Sequence, residues 1–235
     1  MNMNIPEKYL NGEYLKNNPN WFIEDSQWKA NQILKIIQRN KLSPESICEV
    51  GCGAGEILSQ LQNLLDENCY FFGYEISPQA YTICKNKEND RLKFYLMDFL
   101  CERRSFYDIT LSIDVIEHLE DYFTYLRNIK EKSKYKIFHI PLEFFALSAI
   151  HNNFIINQRC RTGHLHFFTK DIIIQTLIEL NYDIIDCFYT PGYSLGHNYG
   201  LKDKIINIPR KYLYYSNRDL TVRLLGGYSL MILAK

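Results

Sequence analysis

Apolar positions along this chain follow two rhythms that alternate from end to end. Short apolar runs bounded by turn residues predict strands at Ser46 to Val50, Tyr70 to Glu75, Leu92 to Asp98, Asp108 to Asp114, Tyr135 to Ile140, Tyr182 to Tyr189 and Gly227 to Ala234. Pro141 is expected to end the ladder of the fifth run, because proline lacks the N–H a central strand needs. Helical spacing appears between these runs. Ser26 to Gln38 carries Trp28, Ile33, Leu34, Ile36 and Ile37, and Glu56 to Leu65 sets Ile57, Leu58, Leu61, Leu64 and Leu65 on one face. Ser77-Pro78 supplies an N-cap and a proline at the first helical position, so a helix starts there. Asp121 to Lys132 reads as a further helix. Another runs from a Thr169 cap to about Leu180, with Asn181 as the residue that stops it. Strands alternating with helices predict an α/β fold, a doubly wound and mostly parallel seven-stranded sheet with helices on both faces. The whole chain, 1–235, reads as a single domain. Residues 1–25 form an expected cap, and 142–163 and 190–222 exceed ordinary loop length. Both long segments are expected near the carboxyl edge of the sheet, as lids or binding loops.

The turn after the first strand is Glu49-Val50-Gly51-Cys52-Gly53-Ala54-Gly55. Glycines there let backbone approach a ligand closely. The spacing is G-x-G-x-G, whereas a dinucleotide fingerprint needs G-x-G-x-x-G. Glu56 stands where the third glycine would be, and a carboxylate at that helix mouth opposes a pyrophosphate. A nucleoside without phosphates fits better. Downstream, Glu75 lies about 20 residues beyond the glycines, the offset at which an acid accepts from ribose hydroxyls. Asp98 and Asp114 close the third and fourth runs. Each acid alone is an ordinary cap or loop residue. Together, Glu49, Glu75, Asp98 and Asp114 mark the strand edge where open α/β sheets bind ligands.

Composition narrows the partners. Hydrophobic content of 46% and charged content of 23% are globular values. A formal net charge of zero argues against nucleic acid as the main substrate. Seven scattered cysteines include no C-x-x-C pair, which argues against zinc and for a reducing compartment. The N-terminus lacks a signal-peptide core, and the longest apolar stretch, Ile137 to Ile150, is interrupted by His139, Pro141 and Glu143. A cytoplasmic protein without membrane insertion is expected.

With these residues in view, the chain resembles the class I S-adenosylmethionine-dependent methyltransferases. The matching parts are Glu49 to Gly55, Glu75, Asp98 and the run Asp114-Val115-Ile116-Glu117-His118-Leu119-Glu120-Asp121. Gly163-His164-Leu165-His166-Phe167-Phe168-Thr169 is similar to a segment of the small-molecule branch that includes quinone-biosynthesis enzymes. The resemblance covers about residues 26 to 190 and the final strand. It implies a Rossmann-like sheet whose last strand is antiparallel and inserted between the fifth and sixth. It implies S-adenosyl-L-methionine as cofactor. Gly51, Gly53 and Gly55 would lie along its methionine part, and Glu49 would hold its amino group. Glu75, with Ile76 beside it, would take the ribose. Asp98 would accept from the adenine amine, with Phe99 or Met97 against the ring, and Asp114 would line the methionine end.

Methyl transfer from a sulfonium is an in-line displacement that mainly requires a positioned nucleophile. A base helps only where the acceptor must lose a proton. His118, His164 and His166 are the candidate catalytic residues, with His139, Glu143 and Glu117 also within the expected region. Asp114 and His118 share a face if a helix begins there, and His164 and His166 share one side if their stretch is extended. His118 reads equally well as a packing histidine. No metal is expected. The expected partner is a small-molecule acceptor with an O or N nucleophile, handled by a monomer or homodimer. A protein or tRNA methyltransferase, a silent cofactor-binding scaffold and an NAD-dependent reductase are the alternatives. Glu56 and the glycine spacing oppose the last of these.

Overall fold

The computed structural model describes residues 23–103, 105–151, 153–192 and 201–235, the first six of the last stretch by backbone alone. Helix α1 spans Ile23–Arg39, so the described end of the expected cap is already helical, and residues 1–22 lie outside the description. There follow β1 (Ser46–Val50), α2 (Glu56–Leu64), β2 (Tyr70–Glu75), α3 (Pro78–Lys85), β3 (Leu92–Leu96) and β4 (Tyr107–Ile113). Then come α4 (Tyr122–Lys130), β5 (Ser133–Leu142), α5 (Ala146–Ile150), α6 (Phe154–Thr162) and α7 (Lys170–Glu179). The chain closes with β6 (Ile184–Pro191), α8 (Leu201–Ser216), α9 (Arg218–Leu225) and β7 (Tyr228–Ala234). The 142–163 segment is thus built largely of two short helices.

The sheet order is β3-β2-β1-β4-β5-β7-β6. The first five strands pair in parallel, and β7 runs antiparallel between β5 and β6. The sequence has β4 return to the far side of β1. That reversal opens a crevice beyond the carboxyl ends of β1 and β4.

Strand alternation divides the core into two layers. In β7, Leu230, Ile232 and Ala234 join one layer with Tyr125, Leu126 and Ile129 of α4 and Ile173 and Leu177 of α7. Met231 and Leu233 join the other, with Ile33, Ile36 and Ile37 of α1 and Leu58 and Leu61 of α2. Such two-residue alternation is what a sheet covered on both faces demands.

Pro141 does not end the ladder of β5. The strand continues to Leu142, and Pro141 pairs opposite Ser229 of β7. Pairing with β4 stops at His139, so β5 has an open edge beyond that point. A missing N–H is tolerated at such an edge.

Gly55 precedes α2 at φ 72°, in the left-handed region. A Cβ there would meet the Phe94 ring at 2.5 Å and Cys84 Cβ at 2.8 Å. Gly55→Ala therefore combines backbone strain with overpacking. It is expected to cost about 1–3 kcal/mol in urea denaturation. An unchanged midpoint would show that Phe94 yields freely.

Candidate active site

The turn that begins the site is held from β2. Gly51 N and Cys52 N donate to the Tyr74 carbonyl at 2.8 and 3.1 Å. Gly53 N donates to Glu75 Oε2 at 2.7 Å, while Ile76 N and Ser77 N donate to Oε1, each at 2.8 Å. One carboxylate thus ties the glycine turn to the start of α3. Gly53 has φ 54°, which a glycine adopts without penalty.

Beyond these strand ends lies a cavity of about 630 Å³, within the range of small-molecule sites. Glu49, Gly51, Gly53, Glu75, Ile76, Asp98, Phe99 and Asp114 all line it. Gly55 does not, because its turn faces Phe94 and Cys84 in the core. Asp98 follows the end of β3 and caps a 3-10 turn, Phe99–Cys101, accepting from Leu100 N at 2.9 Å. Phe99 is buried against Tyr74, with ring centroids 4.8 Å apart.

The acids differ in how they are held. Glu49 is buried on β1, and its Oε2 has no hydrogen-bond partner. Burial pushes its carboxyl well above the usual range, against the pull of Lys29. Burial also raises Glu75, opposed by its three backbone donors. Asp114 is different. Burial works to raise it, but Lys29 and His139 outweigh that and hold it well below the ordinary aspartate value. Lys29 Nζ lies 2.8 Å from Asp114 Oδ2, and His139 Nδ1 lies 2.6 Å from Oδ1. His139 Nε2 meets Thr190 Oγ1 at 2.9 Å. Asp114 has φ 54°, a left-handed conformation that aspartate tolerates better than most residues.

The histidines separate. Residues Ile116–His118 form a 3-10 turn, and the following helix begins only at Tyr122, so Asp114 and His118 do not share a helix face. Leu165 N and His166 N donate to the Glu117 carbonyl at 2.7 and 3.2 Å. This clamp brings His164 beside His118, with ring centroids 4.8 Å apart. Glu117, His118 and His164 each place one ligand-capable atom within 4.8 Å of the others. Their carboxylate was foreseen only as a base candidate, and their convergence was not foreseen. His166 turns away. It does not line the cavity, lies 2.8 Å from the Leu119 carbonyl through Nε2, and packs edge-on against Tyr122. His151 sits at the end of α5, exposed and against Phe154.

Lys29 is the residue that sequence reasoning missed. Asp25, Trp28 and Lys29 lie on one helical face of α1 and all border the cavity. That spacing is legible, but a lysine at such a position ordinarily reads as solvated.

The geometry defines a class I S-adenosylmethionine-dependent methyltransferase fold. The family model described as "Methyltransferase domain" matches residues 26–186, and the chain belongs to that family. No curated protein sequence matches the chain. Among solved structures, it is similar to magnesium protoporphyrin IX methyltransferase from Synechocystis with bound SAH. That pair shares 13% identity over 88% of this chain and 82% of that one, with a TM-score of 0.57. It is also similar to the N-methyltransferase NodS from Bradyrhizobium japonicum in complex with S-adenosyl-L-homocysteine. There the values are 15% identity, 88% and 84% coverage and a TM-score of 0.56. A putative methyltransferase of Haloferax volcanii, solved with the Trm112 activator, gives 12% identity, 95% and 94% coverage and a TM-score of 0.64. Among the described residues, no helix is long and apolar enough to cross a membrane.

The raised carboxyl of Glu49 has a consequence for stability. The unfolded chain gives up this proton near the ordinary glutamate value, whereas the folded chain keeps it to higher pH. Stability from this group is therefore fullest at low pH and is lost as pH rises through the raised value. Without ligand, Glu49→Gln is expected to match the parent near about pH 4 and to become the more stable protein toward about pH 8. Urea denaturation across that range measures it. A parent that stays equally stable at the upper end would mean that Lys29 already neutralises the carboxylate.

Proposed function

We propose that this protein transfers a methyl group from S-adenosyl-L-methionine to an O or N nucleophile of a small molecule. The single observation behind this reading is the set of acids beyond the glycine turn, with one buried oxygen, Glu49 Oε2, lacking any partner. The cofactor offers an ammonium, a sulfonium, two hydroxyls and an exocyclic amine, and each suits an acceptor or a negative charge. A buried carboxylate oxygen without a donor is costly alone and becomes favourable beside an ammonium. Phosphate-bearing dinucleotides would meet repulsion in the same place.

Glu49 would hold the amino group, with Gly51 and Gly53 along the methionine part. Glu75 would accept from the ribose hydroxyls while keeping its backbone donors. Asp98 would take the adenine amine between the apolar walls of Ile76, Met97 and Phe99. When bound, the cofactor supplies an activated methyl and a good leaving group. Asp114, fixed by Lys29 and His139, would mark the methionine end, where the acceptor enters. His118 and His164 line that side and are the proposed histidines of the acceptor region, whereas His166 would act only through packing. The chain leaves the cavity rim at Gly192 and returns at Ser229. The 190–222 segment between them is proposed as the acceptor lid, and 193–200 lies outside the described residues. Neutral net charge favours a small molecule over tRNA, and we place the reaction in quinone-like or secondary metabolism of bacteria.

Calorimetry with S-adenosylhomocysteine and, separately, NADH tests the cofactor. Only the first is expected to bind. Glu75→Gln replaces one accepting oxygen by an amide NH2, which loses a backbone bond of the turn as well as a charged acceptor, and should reduce affinity by about 1.5–3 kcal/mol. Gly53→Val should remove binding, because its side chain would occupy the space where ligand meets backbone. Binding of NADH, or unchanged affinity in both variants, would overturn this assignment.

A further inference from the structure

The acceptor half of the cavity contains a second arrangement that methyl transfer by proximity alone does not require. Glu117 is fully buried, and neither of its carboxylate oxygens has a hydrogen-bond partner. Two imidazoles stand beside it, and the ligand-capable atoms of all three residues lie within 4.8 Å of one another. Each imidazole is oriented from behind. His118 Nδ1 lies 3.3 Å from the Gly163 carbonyl, and His164 Nδ1 lies 2.5 Å from Glu143 Oε2. Glu143 is itself fixed, because Gln158 Nε2 donates to its Oε1 at 2.5 Å. An Nδ1–H that donates backward leaves the ring lone pair on Nε2. Outer acceptors of this kind, a carbonyl and a carboxylate, are the usual supports of metal-ligating histidines.

We propose that Glu117, His118 and His164 form a site for a divalent first-row transition cation, and that its remaining coordination positions take a hydroxyl oxygen of the methyl acceptor. The second half of this proposal rests on the methyltransferase reading above. Two histidines and one carboxylate leave positions open for substrate, as in catalytic zinc and non-haem iron sites. Ligand bonds of about 2.0–2.2 Å would bring the three atoms to about 3–3.5 Å from one another, inside the 4.8 Å that bounds them now. With two imidazoles and a single carboxylate, the donor set suits zinc, manganese, iron(II) or cobalt better than magnesium or calcium, which take oxygen ligands. The cation would also supply the partner that Glu117 lacks.

The chemistry balances without another reactant. The acceptor hydroxyl gives its proton to solvent, a loss that a bound cation favours strongly. The oxygen lone pair forms the new O–C bond. The methyl–sulfur bond breaks, and its electron pair remains on sulfur, which becomes a neutral thioether. The acceptor class that follows is an alcohol or phenol rather than an amine, whose lone pair needs no such activation once neutral.

The test uses the full chain, stripped with a chelator and titrated with Co²⁺. Visible d–d bands saturating at a single equivalent, and displaced by Zn²⁺, are expected. Glu117→Gln and His164→Gln should each weaken Co²⁺ binding at least tenfold. Glu143→Gln, which changes the acceptor behind His164 and no ligand atom, should weaken it about 10–100-fold. S-adenosylhomocysteine affinity should survive in all three, which separates loss of the site from loss of the fold. Azide should shift the cobalt bands of the parent if coordination positions are open. Equal Co²⁺ affinity in the parent and all three variants would overturn the site. Saturable binding with bands that azide leaves unmoved would overturn the acceptor role. Cobalt binding without S-adenosylhomocysteine binding would keep the metal site and reject the methyltransferase reading.

Discussion

Carboxylates crowded into one low-dielectric cavity oppose one another's ionisation, and most of the site follows from how each is answered. Among the described residues that line the cavity, Lys29 is the one lysine or arginine, and it pairs with Asp114. Glu75 is answered by backbone amides instead, three of them from the glycine turn and the start of α3. Glu49 Oε2 and both oxygens of Glu117 are left without partners. The cavity wall therefore carries both satisfied and unsatisfied carboxylates. Such a wall favours positively charged or donor-rich ligands.

The fold imposes this arrangement rather than merely permitting it. Parallel strands all end at the same edge, so Glu49 on β1, Glu75 on β2, and Asp98 and Asp114 just past β3 and β4 arrive together. The crevice between β1 and β4 exists because the chain reverses its winding direction there. Phe94 holds the turn from beneath. A Cβ at Gly55 or at Gly73 would strike that ring at 2.5 and 2.4 Å respectively. The two glycines thus serve one aromatic side chain, and the turn can sit low against the sheet because both lack a Cβ.

The strand–helix alternation, the glycine turn and the acid series were legible because each is local. Period-two apolar runs in a chain this rich in Ile, Phe and Tyr leave few alternatives, and all seven predicted strands are present. What was not legible depended on contacts across the chain. Pro141 reads locally as a strand end, yet the partner that would need its N–H stops at His139. His164 and His166 read locally as a pair, but the Glu117 carbonyl takes both Leu165 N and His166 N and so fixes the stretch against the 3-10 turn. That clamp, between residues 48 positions apart or more, sends one ring into the cavity and the other against Tyr122. Lys29 was invisible for the same reason, since nothing within α1 indicates that its head will reach past the end of β4.

Asp114, Lys29, His139 and Thr190 form one bonded chain at the cavity wall. It draws on α1, β5, β6 and the turn after β4. Asp114 sits in a left-handed conformation and bonds backward through its N–H to the His139 carbonyl at 2.9 Å. A carboxylate fixed by its own backbone and by two side chains loses little further freedom when a ligand arrives. In the proposed reading this carboxylate marks the methionine end of the cofactor, where in-line displacement tolerates the least error in placement. The rigidity is thus located where the reaction would need it, while the unpartnered oxygens of Glu49 and Glu117 are left to recruit ligands. A site whose charges were all internally satisfied would be more stable and would have less to offer a ligand.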